Sequence, residues 1–167
     1  MAQRTTSEKD MFVQSFQREA QTTLKLLKAF PADQADLKPS PKSRSARELA
    51  WVFVTEQGLA DRALRGALDF RGTPQPVPAR FEDIIAAFEK ASSETVARVT
   101  NASEEDLNKP IQFPVGPGKM GDFRRADVLW ITLQDQIHHR GQFSVYVRMA
   151  GGKVPSIYGP SADEPWV

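Results

Sequence analysis

Four stretches of the chain place apolar residues three and four positions apart, the spacing that gathers side chains on one face of an α-helix. They cover about residues 8–30, 45–69, 81–99 and 124–150 of the 167-residue sequence. The sequence has neither a run of alternating strand-like segments nor an internal repeat. Four such helices can cover their apolar faces only on one another, so the sequence predicts an all-α four-helix bundle.

Local signals mark the expected ends of these helices. Ser7 is a candidate N-cap for the first, and Ser45 with Glu48 forms a capping box at the start of the second. The second helix is expected to reach about residue 69, before a Gly and Pro break at residues 71–74. Gly151 and Gly152 predict a sharp stop after the fourth helix.

Residues 101–123 contain too many Pro and Gly residues for a helix and only one short extended piece, IQFPV. They are therefore expected to form a long crossover connection between helices three and four. The tail after Gly152 has no periodicity, and we expect Ile157, Tyr158 and Trp166 to pack on the bundle.

Length and composition limit the function classes. A length of 167 residues fits a single domain, 1–167. The 22 basic and 21 acidic residues give a net charge of +1, which argues against nucleic-acid binding. No apolar run suits a membrane span or a signal peptide, so a cytoplasmic protein is expected. Because there is no Cys, any metal ligands must come from His, Asp and Glu.

The polar stretch QDQIHHRGQ, residues 134–142, interrupts the otherwise apolar fourth helix. A helix in a bundle turns one face inward, so buried polar groups here need a hydrogen-bond network or a bound ion. Asp135 and His139 stand four positions apart, the spacing required of two metal ligands on one helix. Gln134 and His138 form a second such pair, rotated by about 100° from the first.

Simpler interpretations fit the same residues. An Asp and a His one turn apart also form ordinary hydrogen-bonded or solvated pairs. Arg140 can be a solvated charge or the partner of a buried carboxylate, and Gln142 can face water. Gly141 lies inside a predicted helix, where glycine costs about 1 kcal/mol relative to alanine, so we expect a neighbouring helix to pack closely against it.

Two motifs carry a resemblance to a known family. HHRGQFSVYVRMAGG, from His138, is similar to the C-terminal helix of the DinB/YfiT-like proteins, and SARELAW, from Ser45, is similar to the start of their second helix. Helix order, length and the long third connection agree over nearly the whole chain. The resemblance implies a DinB-like four-helix bundle with a long crossover between helices three and four.

The resemblance also implies a divalent metal, commonly nickel or zinc, held by three histidines near the middle of the bundle. The matching positions in this chain are Val52, Asp135 and His139, so only one histidine is retained. Glu56, one turn after Val52, can replace the missing ligand and give a Glu/Asp/His site suited to zinc, manganese or iron. Alternatively the metal is absent, and Asp135, His139, Gln142 and Glu56 form a hydrogen-bond network that preserves the shape of the pocket.

Two functions follow as expectations. The first is a metal-dependent enzyme, because relatives of this fold include thiol transferases, in which a metal activates a low-molecular-weight thiol. In such an enzyme Arg140 or Gln142 would orient the ligating carboxylates, and His138 and Val52 would lie in the pocket. The alternative is a non-catalytic bacterial stress-response module, a homodimer whose central pocket holds an unknown small molecule. Metal content distinguishes the two.

Overall fold

The structure is a computed structural model that describes residues 6–69 and 75–166. Four long helices and a β-hairpin make up the fold, and the predicted break at residues 71–74 lies outside the described residues. In chain order the elements are α1 (Glu8–Lys28), α2 (Ala46–Leu64), α3 (Phe81–Asn101), the short α4 (Glu104–Asn108), β1 (Pro110–Gly116), β2 (Lys119–Arg124) and α5 (Arg125–Met149), with one 3-10 turn at Ala32–Gln34.

The two predicted helix caps are both present. The Ser7 hydroxyl accepts a hydrogen bond from the Asp10 backbone N–H, which confirms the N-cap of α1. Ser45 and Glu48 form the complete capping box of α2. Within α1, Met11 lies outside the core and is 49% exposed.

Helix α2 is shorter than predicted, and a glycine explains where it ends. Gly66 adopts a φ of 69°, the left-handed conformation that closes a helix, and its N–H donates to the Ala63 carbonyl. The N–H of Ala67 donates to the Arg62 carbonyl, which completes a Schellman motif. Gly151, with a φ of 80°, ends α5 in the same way, as predicted.

Helices α1 and α2 each pack mainly on α3 and α5, so they occupy opposite corners of the bundle. Lys9 near the start of α1 donates to the Ala102 carbonyl just after α3, so these helices are antiparallel. Arg47 at the start of α2 donates to the Ala79 carbonyl just before α3, so α2 and α3 are parallel. Of the helices in the described residues, none is long and apolar enough to cross a membrane.

The direction of α5 follows from its first residue. Arg125 donates a 2.6 Å hydrogen bond to the carbonyl of Leu64, the last residue of α2, so α5 runs antiparallel to α2. The centres of both helices therefore lie side by side, and their facing side chains form the candidate site. A cluster of aromatic rings in mutual contact lies in the core of the bundle: Phe30, Phe53, Phe81, Phe88, Phe143 and Tyr146.

The long connection between α3 and α5 contains more regular structure than predicted. The extended piece is β1, and it pairs with β2 as an antiparallel hairpin that the sequence analysis missed. Gly118 has a φ of 66° at the turn, a conformation that suits glycine. None of the six residues of β2 is buried, and the strand lacks the apolar alternation by which a strand is recognised.

The C-terminal tail is attached to the bundle, but mainly by polar contacts. The Glu164 carboxylate lies 2.8 Å from Lys25 Nζ of α1. The expected packing of two aromatic side chains is wrong, because Tyr158 is 66% exposed and Trp166 is 64% exposed, with its indole N–H donating to Ser156 of the tail itself. Gly152 lets the tail leave α5 closely, because a Cβ there would lie 2.7 Å from the Ala29 carbonyl oxygen. The Tyr158 hydroxyl donates a hydrogen bond to the Glu19 carboxylate, which forms a buried ion pair with Arg140 of α5.

Candidate functional site

Glu56 of α2 faces Asp135 and His139 of α5 near the middle of the bundle. His139 Nε2 lies 3.4 Å from a Glu56 carboxylate oxygen and 3.6 Å from an Asp135 carboxylate oxygen. One ligand atom from each residue lies within 4.8 Å of the other two, and no other group of three His, Asp or Glu residues in the described part of the chain does so. The three candidate ligands predicted from the sequence are thus brought together.

The three side chains differ in their contact with solvent. Glu56 is 6% exposed and the side chain of His139 is 13% exposed, whereas the side chain of Asp135 is 55% exposed. The cluster is therefore buried on the side formed by α2 and open to solvent at Asp135. An ion or a small molecule would approach from the Asp135 side.

The carboxyl group of Glu56 is not stabilised by any hydrogen bond that it accepts. Both of its oxygens are buried, and neither accepts a hydrogen bond from the described residues. Burial, the negative charge of Asp135 and a hydrogen bond that protonated Glu56 can donate to Asp135 raise the pKa of Glu56 to about 9, although the positive charge of Arg44 acts in the opposite direction. At neutral pH and without a cation, Glu56 therefore holds a proton that it shares with Asp135.

Gln142 orients the histidine. Its side-chain oxygen lies 3.2 Å from His139 Nδ1, and its side-chain nitrogen lies 2.9 Å from His138 Nε2. In this amide orientation the oxygen accepts from Nδ1–H, which leaves the lone pair of His139 Nε2 directed at the two carboxylates. Metal-binding histidines commonly have such a partner on their second nitrogen. Gln142 thus supports the site, and His138 contacts Gln142 rather than the carboxylates.

Arg140 is the partner of a buried carboxylate, one of the two interpretations of its charge, and it does not orient the candidate ligands. The residue is 1% exposed and lies on another face of α5, where its guanidinium pairs with the Glu19 carboxylate at 2.6 Å and with the Tyr158 hydroxyl. Tyr158 also donates a 2.7 Å hydrogen bond to Glu19. Because positions 139 and 140 lie about 100° apart around a helix, they cannot face the same neighbours. Arg140 ties α1 to α5 and the tail, and it orients neither Glu56 nor Asp135.

Val52 and Gly141 lie near the cluster, and neither contributes a ligand. Val52 is half-buried one turn before Glu56, so an aliphatic group stands where a third nitrogen ligand would be. The explanation given for Gly141 is wrong: a Cβ built there meets nothing within 4 Å, so no helix packs closely against it. Gly141 instead lies on the exposed face of α5.

The geometry and charge of the three side chains fit a divalent cation. Two ligands bound at about 2.1 Å to one ion lie roughly 3.0 to 3.5 Å apart, close to the separations seen around His139 Nε2. The two carboxylates, once ionised, balance the charge of a divalent ion, and an oxygen-rich set with one imidazole suits manganese, iron or zinc. The unpartnered buried oxygens of Glu56 would gain the partner that they lack. The residues fit such an ion.

The sequence analysis missed Glu19 and Tyr158 as partners of Arg140. A buried Arg requires an acceptor, yet Glu19 precedes Ala20 on a helix with several exposed charges, and Tyr158 lies in an aperiodic tail. The presence of an Arg inside an otherwise apolar helix predicts only that some buried carboxylate pairs with it. Which carboxylate it is depends on how α1 and α5 pack.

Similar proteins agree with this architecture. The sequence model of the DinB family matches residues 1–166. The chain is 29% identical over 156 residues to "Uncharacterized protein YrdA" of Bacillus subtilis (strain 168), which covers 93% of this chain and 90% of YrdA. It is 25% identical over 146 residues to "Uncharacterized protein YjoA" of the same organism, and the match covers 85% of this chain and 90% of YjoA.

Two crystal structures have the same fold. A DinB-like protein from Bacillus cereus ATCC 10987 matches with a TM-score of 0.70 at 26% identity, over 88% of this chain and 95% of that one. The DinB-like protein YjoA from Bacillus subtilis matches with a TM-score of 0.68 at 24% identity, over 84% of this chain and 92% of YjoA. With the family match over nearly its full length, this chain belongs to the DinB family.

Proposed function

We propose that this protein is a metal-dependent enzyme whose divalent ion is held by Glu56, Asp135 and His139. The observation that carries the proposal is the convergence of three ligand atoms within 4.8 Å around a buried Glu56 carboxyl group that has no hydrogen-bond donor. Burying a carboxyl group without a partner is costly, and a cation is the partner that uses both of its oxygens.

The roles of the residues follow from their positions. Glu56 would supply a ligand from the buried side, and Gln142 would hold His139 so that Nε2 can bind the ion. Asp135, which is open to solvent, would supply the third ligand on the side from which a reactant can enter. A divalent ion with open positions lowers the pKa of a water molecule or a thiol that it binds, which makes a nucleophile at neutral pH.

The reaction class that we propose is thiol transfer to an electrophile, with a low-molecular-weight thiol as the cosubstrate. The chain has no Cys, so it supplies no thiol of its own. The oxygen-rich ligand set favours manganese or zinc over the nickel expected for three histidines.

A second candidate is a metal-free binding module, and the proton on Glu56 supports it. A carboxyl group whose pKa is about 9 stays neutral at physiological pH, so it can share its proton with Asp135 and remain buried without an ion. Under this alternative the same residues would form a polar pocket for a small molecule.

The test is metal content. The untagged protein, purified without chelator, is analysed by inductively coupled plasma mass spectrometry beside Glu56→Ala, Asp135→Ala and His139→Ala variants. Glu89→Ala is the matched control, because Glu89 is an exposed carboxylate on α3 that pairs with Lys28 and lies outside the cluster. We expect about one equivalent of metal in the parent and the control and little bound metal in the ligand variants. No binding of manganese, zinc or nickel by the parent would favour the metal-free module.

A further inference from the structure

An open groove of about 730 Å³ lies between α5 and the segment that precedes α2. This volume is within the range of sites that hold small molecules. Its lining combines polar and apolar groups, among them Lys42, Arg44, Leu49, Gln142, Val145 and Tyr146. The groove begins at Gln142, so it starts where the candidate metal site ends.

The charge of the groove is positive. Lys42 and Arg44 both line it, and no acidic residue does. Within the described residues, no hydrogen bond or ion pair is made by the side chain of either cation, and both residues are exposed. Nearby Glu48 is already engaged, because its carboxylate accepts a 2.6 Å hydrogen bond from the Ser45 backbone N–H in the capping box.

The segment that carries the two cations is held in place. The Tyr146 hydroxyl of α5 donates a 2.9 Å hydrogen bond to the Arg44 carbonyl oxygen. The Ser43 N–H donates to the Ser40 carbonyl, which closes a turn around Lys42. The backbone beneath the cations is thus ordered before any ligand arrives, which reduces the entropy cost of binding.

The groove and the candidate metal site share one side chain. Gln142 lines the groove and is hydrogen-bonded to His139 of the site. A molecule bound along the groove therefore has one end at the cations and the other at Gln142.

We propose that the groove binds a small molecule through an anionic group, a carboxylate or a phosphate, that lies between Lys42 and Arg44. Leu49 and Val145 provide apolar contact for its carbon skeleton, and Gln142 lies at the end that points to Glu56, Asp135 and His139. The assignment of this molecule as a substrate rests on the function proposed above. Anion binding at the two cations does not, because it requires no metal.

Chelator-treated, metal-free protein labelled with ¹⁵N is titrated with succinate and with inorganic phosphate, and two-dimensional NMR spectra report the binding position. Succinamide, which has the same skeleton without charge, is the matched neutral probe. The Lys42→Ala/Arg44→Ala variant removes the two groove cations. The Lys90→Ala/Lys119→Ala variant removes the same charge from exposed positions on α3 and β2, and so controls for net charge.

We expect at least one of the two anions to shift the backbone signals of residues 42–45 and 142–146 and to bind at least tenfold more tightly than succinamide. The groove variant should lose at least tenfold in affinity, while the control variant keeps it. The stronger anion identifies the group as carboxylate or phosphate. Equal binding of succinate and succinamide with no response to phosphate, shifts elsewhere, or unchanged affinity in the groove variant would overturn the proposal. Because the protein is metal-free, failure of the metal site leaves this result readable.

Discussion

Replacing Glu56 by Gln should stabilise the metal-free protein, and the gain should depend on pH. The folded pKa of Glu56 is about 9 against an ordinary value of 4.5. Because the folded state keeps a proton that the unfolded chain loses, the contribution of this group to stability is fully present below about pH 4.5 and is lost as the pH rises toward 9. One pKa unit corresponds to about 1.4 kcal/mol, so the wild type loses about 3 kcal/mol from this group by about pH 7.

Gln has nearly the same shape and no charge to titrate, so its own burial cost is the same at every pH. The free energy of unfolding, measured by urea denaturation with chelator present, should favour Glu56→Gln by about 2 to 3 kcal/mol more at about pH 7 than at about pH 5. Glu89→Gln, at an exposed carboxylate on α3, is the control and should show little pH dependence. A difference between Glu56→Gln and wild type that does not change with pH would refute the desolvated carboxyl group.

The same variants should respond in the opposite order to metal. If Glu56 is a ligand, adding manganese or zinc should raise the free energy of unfolding of the wild type by about 3 kcal/mol when the metal concentration is 100 times the dissociation constant. Glu56→Gln should gain much less. A wild type that gains nothing would support the metal-free module, while the pH result would still stand.

Three other predictions follow from the geometry. Gly141→Ala should raise the free energy of unfolding by about 1 kcal/mol in urea denaturation, since its Cβ meets open space in a regular helix; a loss of stability would contradict the exposed placement. Glu19→Ala should cost about 3 to 5 kcal/mol in the same assay, because it leaves Arg140 buried without a carboxylate, whereas Glu89→Ala, at an exposed pair with Lys28, should cost less than about 1 kcal/mol. Metal binding at about pH 7 should release about one proton from Glu56, measurable with an indicator dye in weak buffer; release of none would mean that Glu56 is already ionised.

Local signals in the sequence were sufficient for most of the fold. Ser7, Ser45 with Glu48, and Gly151 act on backbone groups within a few residues, so their effects on helix ends can be predicted without knowledge of the tertiary structure. Gly66 carries the same kind of signal and was overlooked, which extended α2 past its end. The second strand of the hairpin was not predictable by periodicity, because none of its residues is buried and it has no apolar face.

For the candidate site, spacing along one helix was enough to pair Asp135 with His139, and the resemblance directed attention to α2 and Glu56. The rest was decided by tertiary structure. How far α5 is rotated in the bundle determines that residue 139 faces α2 while Arg140 faces Glu19, and that Gly141 faces solvent. The raised pKa of Glu56 and the groove at Arg44 arise from groups distant in sequence, whose proximity exists only once the helices have packed.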